Sequence, residues 1–357
     1  MKPEPQPVLF QIEKPEEKTH RPDTVELLPL DEYDLVKVDL SGGKDSVGAV
    51  LRMLKLGVPK HKMELWHHPV DGNPYDEDFF FDWRVTTAYC RAFAQAIGIP
   101  IRFQWREGGL KRELLKVNDR LAPVTFELGD GTLKTVGGVK GKISSRRRWP
   151  QVSADLKVRW CSGVAKIDVC SMAMSNDPRL LGKKILELTG ERREESANRA
   201  TYAEKEPHRT SNSKRRVDHW RCVIDLTERE IWDLLREFRV RPHPAYFLGF
   251  GRVSCMLCIF GLPDQWATIR EIDPERFYLF VRLEQEFGFT INRKRTLLEM
   301  ADKGTSYLPE LRKQGVDVDG LVKLATGTEY SPDMIFIPES QPWILPAGAF
   351  RNCGGPS

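Results

Sequence analysis

Hydrophobic and polar positions alternate most cleanly in Leu35-Val36-Lys37-Val38-Asp39-Leu40, where 36, 38 and 40 fall at strand period. Immediately downstream the period changes: Val47, Val50, Leu51 and Leu54 recur at helical spacing until Gly57 offers a stop. The same reading predicts a strand over 63–66, a helix over 79–98 that ends before a strand over 100–105, and a strand over 184–188. Gly129-Asp130-Gly131 predicts a hairpin turn, and the segment from Gly190 to Ser196 the opening of another helix. Farther on, 274–327 reads as several amphipathic helices, beginning with 277–287.

Strands alternating with helices predict an α/β fold, a doubly wound and mostly parallel sheet with a helical C-terminal region. Ligands of such sheets gather at the carboxyl ends of the strands. Three regions follow: an N-terminal arm over 1–30, an α/β nucleotide-binding domain over 31–270, and a helical region with tail over 271–357. No internal repeat or low-complexity tract interrupts them.

Composition narrows the picture. A chain of 357 residues is long enough for one large or two modest domains. A net charge of +4 gives no global case for nucleic acid. Residues 1–18 hold four prolines and many charges without an apolar stretch, so a cytoplasmic protein with no membrane partner is expected. Seven cysteines, an odd number, argue against a disulfide framework and direct attention to metal or redox chemistry.

The candidate chemistry sits where the first strand hands over to the first helix, in Ser41-Gly42-Gly43-Lys44-Asp45-Ser46. A helix N-terminus offers unsatisfied N–H groups and the positive end of a dipole, which suits phosphate. Gly42 and Gly43 permit a tight turn, Ser41 and Ser46 add hydroxyls, and Lys44 brings a charge. Asp45 is a cap or a magnesium ligand. Lys44 and Asp45 are expected to project toward solvent or ligand. The spacing is not that of a Walker A loop. It resembles the PP-loop of N-type ATP pyrophosphatases, which grip the terminal pyrophosphate of ATP and cut between the α- and β-phosphates. The competing reading is an ordinary glycine-rich turn.

Other segments extend the resemblance, over most of 33–265, to the phosphoadenosine-phosphosulfate reductase superfamily, with its adenine nucleotide α-hydrolase-like fold. Gly190-Glu191-Arg192-Arg193-Glu194-Glu195-Ser196 is similar to a signature of sulfonucleotide reductases and bacterial ATP sulfurylase. That likeness implies Arg192 facing the phosphates, with Gly190 and Glu195 beside it. His67-His68-Pro69-Val70-Asp71-Gly72 resembles the segment lining the nucleotide pocket, and Asp71 is the favoured contact. Cys161 through Lys166, with Cys255-Met256-Leu257-Cys258, resembles the cysteine and lysine region of iron–sulfur reductases and of the Dnd phosphorothioation system. There four cysteines hold a [4Fe–4S] cluster. Here Cys161, Cys255 and Cys258 align, Cys222 is the fourth candidate, and zinc, a redox pair or plain packing are the alternatives. The stretches from His219 to Trp232 and from His243 to Tyr246 continue the likeness. Cys90 and Cys170 read as core.

Departures matter as well. The phosphate loop is intact, whereas reductases have a degenerate one, and the chain ends Asn352-Cys353-Gly354-Gly355 with no following histidine. Cys353 is therefore a weak nucleophile candidate. The expected activity is magnesium-assisted ATP cleavage to AMP and pyrophosphate, with Lys44, Asp45 and Arg192 as the catalytic set. The alternatives are a sulfonucleotide reductase and a nucleotide-sensing module. Relatives act in nucleic-acid modification, sulfur transfer or beside CRISPR loci. Basic segments at 140–148 and 205–216, expected to flank the pocket, suit a nucleic-acid backbone or plain solvated charge. A homodimer is a further expected partnership.

Overall fold

The computed structural model describes residues 20–153, 155–253 and 255–351. Along the chain run β1 (Leu35–Asp39), α1 (Lys44–Lys55), β2 (Met63–His67), α2 (Thr86–Ile97), β3 (Ile101–Arg106), α3 (Gly109–Leu115), β4 (Val124–Glu127) and β5 (Leu133–Val136). Then come α4 (Trp160–Ser162), α5 (Asp168–Asn176), β6 (Lys184–Leu188), α6 (Ala197–Ala200), β7 (Lys205–Pro207), β8 (Arg216–Trp220), α7 (Glu228–Glu237) and α8 (Pro244–Phe247). The C-terminal part holds α9 (Pro263–Ile272), α10 (Pro274–Phe287), α11 (Leu297–Lys303), α12 (Leu308–Lys313) and α13 (Val318–Thr326).

The strands form one eight-stranded sheet in the order β5-β4-β3-β2-β1-β6-β8-β7. Neighbours from β3 to β8 run parallel, and β4, β5 and β7 join antiparallel at the edges. From β1 the sheet grows through β2 and β3 on one side and through β6 and β8 on the other. The carboxyl end of β1 is thus the point where the winding reverses, the place where sheets of this kind bind their ligands.

Alternation decides which residues meet which layer. Val36 and Val38 of β1, Leu65 of β2 and Leu186 of β6 enter the larger apolar cluster with Val47, Val50 and Leu51 of α1. Residues of opposite parity, such as Trp66 and Ile185, enter a smaller cluster with Val169, Ala173 and Met174 of α5. The larger cluster continues without a break into Trp266, Phe277, Phe280, Leu297, Leu308 and Ile335, and α9 spans position 270. The C-terminal helices therefore complete the same core as the sheet.

Two elements differ from expectation. The helix expected over 79–98 begins only at Thr86, because the Asp71 carboxylate accepts the N–H groups of Phe80, Phe81 and Asp82 at 3.0, 2.8 and 2.9 Å and holds that stretch as a loop. The helix expected after Gly190 is a 3₁₀ turn (Arg193–Glu195) followed by the single turn of α6. Of the arm, residues 1–19 lie outside the described residues. Beyond them it runs along the β7 side of the sheet, Thr24 N–H donating to the Lys205 carbonyl. Among the described residues no helix is long and apolar enough to cross a membrane.

Candidate functional site

The loop between β1 and α1 is built by its own side chains. Gly42 adopts φ +81°, a conformation that a side chain would strain, so the chain can turn sharply off the sheet. Ser46 Oγ accepts the Ser41 N–H at 3.1 Å and donates to the Gly43 carbonyl at 2.9 Å, closing the turn. The first hydrogen bond within α1 runs from Val47 N–H to the Gly43 carbonyl, so the N–H groups of Asp45 and Ser46 find no carbonyl in their own helix. Lys44 N–H donates to the Tyr246 hydroxyl at 2.9 Å, fixing the loop to α8.

The segment after β6 closes over this turn. A Cβ placed on Gly190 would lie 2.8 Å from the Asp45 carbonyl carbon and 2.9 Å from the Ser46 nitrogen. Only glycine permits that approach. Arg192, 3% exposed, donates from Nε to Asp45 Oδ1 at 2.5 Å and from Nη1 to Glu194 Oε2 at 2.7 Å. Glu195 accepts the Arg192 N–H at 2.8 Å and pairs with Arg199, so it orients the arginine rather than facing the loop. Burial disfavours the charged Asp45 carboxylate, but Lys44 and Arg192 outweigh it and hold its pKa below the usual carboxylate value. Tyr246, buried behind the loop, has its phenol pushed up to about 12 by burial.

Lys44 departs from expectation. Its ammonium does not project outward: it lies 3.1 Å from Asp45 Oδ2, 3.8 Å from Glu228 Oε1, and 5.9 Å from the ring centroids of both Trp232 and Tyr246. The side chain leaves the first turn of α1 on the face that packs against α7, and meets that helix's aromatic and acidic residues. Burial alone would lower its pKa, yet Asp45, Tyr246 and Glu228 raise it above the ordinary lysine value. Lys44 therefore acts on the loop through Asp45.

Asp71 is likewise turned to structural use. With both carboxylate oxygens accepting backbone N–H groups, it organises the loop leading to α2, and burial raises its pKa in spite of those bonds. It does line a cavity of about 510 Å³, which includes none of the phosphate-loop residues. Asp76, Glu77, Asp78, Asp82 and Glu329 also line this cavity, against Arg84 and Arg91, so its charge suits no polyphosphate.

Cys161, Cys255 and Cys258 influence one another electrostatically, but among the described residues their sulfurs do not form a group lying within 4.8 Å of one another. Cys161 in α4 has its thiol pKa raised by burial first and then by Cys258. Burial and the Asp82 carboxylate push Cys255 well up, with Cys258 contributing. Lys166 works against both shifts. The Leu257 N–H donates to the Phe81 carbonyl at 3.0 Å, tying the CxxC turn to the loop that Asp71 holds. Cys222 is elsewhere. It is 1% exposed, its carbonyl accepts from Arg52 of α1, and its charged neighbours are Arg52, Glu191 and Glu204. The turn after β8 folds onto α1, so the expected set of four cysteines is not assembled. Cys353 lies outside the described residues.

A cluster under the sheet was not anticipated. Lys37, fully buried, places its ammonium 2.7 Å from Asp39 Oδ1, 2.5 Å from Glu187 Oε1, 3.1 Å from Cys170 Sγ and 4.9 Å from the Trp66 ring centroid. Among the described residues, the group of three metal-ligand types whose atoms all lie within 4.8 Å is Asp39, His68 and Cys170. The lysine already supplies the cation there, so this is an ion network rather than a metal centre. Its signal was a lysine and an aspartate two positions apart on one face of a strand whose other face is apolar.

The basic segments are partly consumed within the fold. Arg146 pairs with Glu113, Arg147 with Glu286, and Arg148 stacks on Phe289, leaving Lys140 and Lys142 exposed. Because β7 runs antiparallel to β8, 205–216 leads away from the phosphate loop rather than flanking it: Lys205 sits opposite Trp220, and Arg216 opens β8 at the far end.

Residues 142–260 match the family profile of the phosphoadenosine phosphosulfate reductase domain. The matched stretch contains Cys161, Lys166, Gly190, Arg192, Glu195 and the CxxC turn, and it begins after the phosphate loop. An uncharacterized protein of Methanocaldococcus jannaschii is 24% identical over 133 residues, which cover 37% of this chain and 30% of that protein's length.

Proposed function

With residues 142–260 carrying a domain of the phosphoadenosine phosphosulfate reductase-like superfamily, we propose that the chain binds ATP at Ser41–Ser46 and cleaves it between the α- and β-phosphates. The observation that carries this reading is the fit of Gly190 against the Asp45–Ser46 peptide, which joins a glycine-turned helix N-terminus to Arg192 at the point where the winding reverses. A helix N-terminus whose Asp45 and Ser46 N–H groups find no carbonyl in their own helix, two serine hydroxyls and a guanidinium suit the terminal pyrophosphate, and holding both phosphates as one leaving group directs attack to the α-phosphorus. The attacking group is water or an acceptor that becomes adenylylated.

Magnesium enters with the nucleotide as part of the substrate. The loop offers it no spare carboxylate, since Asp45 Oδ1 faces Arg192 and Oδ2 faces Lys44. Nor do the thiols fit a four-cysteine cluster, because Cys222 packs on α1, and no step is assigned to iron or zinc.

The family match itself favours a second reading, thiol-dependent reduction of an activated sulfate. Chromatography of products separates the two. The expected outcome is AMP and pyrophosphate from ATP, lost in Ser46→Ala and strongly reduced in Arg192→Gln. Sulfite released from a sulfonucleotide with a thiol donor, and no AMP from ATP, would favour the reductase.

A further inference from the structure

The cavity of about 510 Å³ has the size of a small-molecule pocket. Residues 69–79 after β2, positions between 82 and 91 leading into α2, and residues 328–330 beyond α13 wall it. Six carboxylates line it against two guanidiniums, and the guanidiniums are already engaged. Arg84 lies 3.5 Å from Asp273, which is outside the cavity wall. Arg91 donates to the Pro74 carbonyl at 3.4 Å, with its guanidinium carbon 4.7 Å from the Tyr75 ring centroid. Of the carboxylates, Asp71 is taken up by backbone N–H groups and Asp78 by Lys111. Asp76 accepts from the Asn73 amide at 3.1 Å and Asp82 from the Trp83 N–H at 2.8 Å. Among the described residues, Asp76, Glu77, Asp82 and Glu329 have no lysine or arginine within ion-pair distance.

Unpaired carboxylates at a surface are ordinary, because water serves them. A separate observation points to a ligand. Tyr330, 9% exposed, lines the cavity with its hydroxyl buried and without a hydrogen-bond partner, while its ring packs edge-on against Tyr89 at 5.2 Å. A buried hydroxyl left unmet is costly until something comes to it. Burial and then Asp71 push Asp82 up to about 7, against the influence of Lys166, so negative charge there lacks a sufficient counterion. The geometry does not suit a metal ion: among the described residues no three of these carboxylates bring ligand atoms within 4.8 Å of one another. The charge is spread, and Tyr75 and Phe79 stand between the carboxylates with rings that suit ammonium groups and methylene stems alike.

We propose that this cavity binds a linear organic polycation, a free polyamine whose ammonium groups meet Asp76, Glu77 and Glu329 at the exposed mouth and Asp82 and the Tyr330 hydroxyl farther in. Several charges separated by apolar stems match several carboxylates separated by rings, which a single compact cation does not. The site shares no residue with Ser41–Ser46, so it stands whether or not that loop cleaves ATP.

Isothermal titration calorimetry of the full chain with spermidine tests it, without nucleotide, so that pairing of the polyamine with ATP does not enter. Saturable binding of one equivalent is expected, weakened about fivefold or more in the double variant Glu77→Gln/Glu329→Gln. Both side chains are exposed, so this variant should melt at the wild-type temperature. Tyr330→Phe should weaken binding about threefold or more and yet melt at the wild-type temperature or above it, because its hydroxyl has no partner to lose. A lowered melting temperature with binding unchanged would make that hydroxyl structural and overturn its part in the site. Absence of saturable binding, or binding unchanged in the double variant, would overturn the site itself. Magnesium chloride bound in place of spermidine with the same stoichiometry would overturn the choice of an organic cation. A lysine-bearing peptide with blocked termini that binds more tightly through the same residues would overturn the free polyamine in favour of a protein segment.

Discussion

Two buried lysines seven positions apart, Lys37 and Lys44, show how differently one strand-loop-helix unit treats the same charge. Lys37 lies fully buried on the face of β1 toward α5, paired with Asp39 of its own strand and with Glu187 of β6. Lys44 sits at the carboxyl edge of the same strand with Asp45 and Glu228, and its partner Asp45 is shared with Arg192. The first network is built into the sheet: Lys37 and Glu187 face one another in the strand register, and only Asp39, at the end of β1, is partly exposed. The second is open, because its arginine comes from another loop and a phosphate bound at the turn can compete for it. Burial of charge thus marks architecture in one place and readiness for an anion in the other. The discriminating feature is whether the partners belong to the sheet or to the loops above it.

The largest expected effect breaks the first network. Lys37→Met should destabilise the fold by about 3–5 kcal/mol, since it leaves the buried Glu187 carboxylate and the partly exposed Asp39 without their cation. Urea denaturation measures this. A loss under about 1 kcal/mol would mean that the network titrates or hydrates.

On the open side, Gly190→Ala should be the most damaging change. Its methyl group would press into the Asp45–Ser46 peptide at 2.8–2.9 Å, at a cost of about 1–3 kcal/mol, and nucleotide affinity should fall at least about tenfold as the loop is displaced. Lys44→Ala comes next. It should leave stability within about 1–2 kcal/mol of wild type while lowering turnover, since Asp45 is left to bind Arg192 more tightly and to hold it from the phosphates. Stability loss without any change in turnover would make Lys44 a second Lys37.

The pH dependence contrasts two carboxylates near the phosphate loop. Asp45 is held below the usual range, so its contribution to stability is present above the unfolded pKa and is lost only as pH falls through the lower folded value. Asp82 goes the other way, raised to about 7 by burial and then by Asp71. Its unfolded form loses its proton near pH 4, so stability should decline as pH rises from about 4 to about 7 and then level off. Asp82→Asn should flatten that decline in a denaturation series across pH, and an unchanged slope would assign it to another group.

Much of this was legible in the sequence because local periodicity and local turn chemistry determine it. The strand and helix around Ser41–Ser46, the hairpin at Gly129–Gly131 and the C-terminal helices all follow from neighbours within a few positions. The long-range pairings were not legible. Glu187 lies 150 residues from Lys37, and nothing near either position announces the pair. The same holds for Asp71, whose residue type suggested a ligand contact but whose oxygens are used by backbone nine to eleven positions on. Cys222 looked like a fourth ligand by count, and only the turn after β8 takes it onto α1. The direction of Lys44 depended on which helix covers α1, a fact that lies some 190 residues downstream in Glu228 and Trp232.

Phosphorus NMR of the full chain turning over ATP with magnesium tests the central claim most directly. A pyrophosphate resonance should grow in step with conversion of the α-phosphate to a phosphomonoester or an adenylylated acceptor, and Gly190→Ala should suppress both together. Growth of inorganic phosphate with the α- and β-phosphates of ADP left joined would contradict the account, because it would show the wrong bond broken.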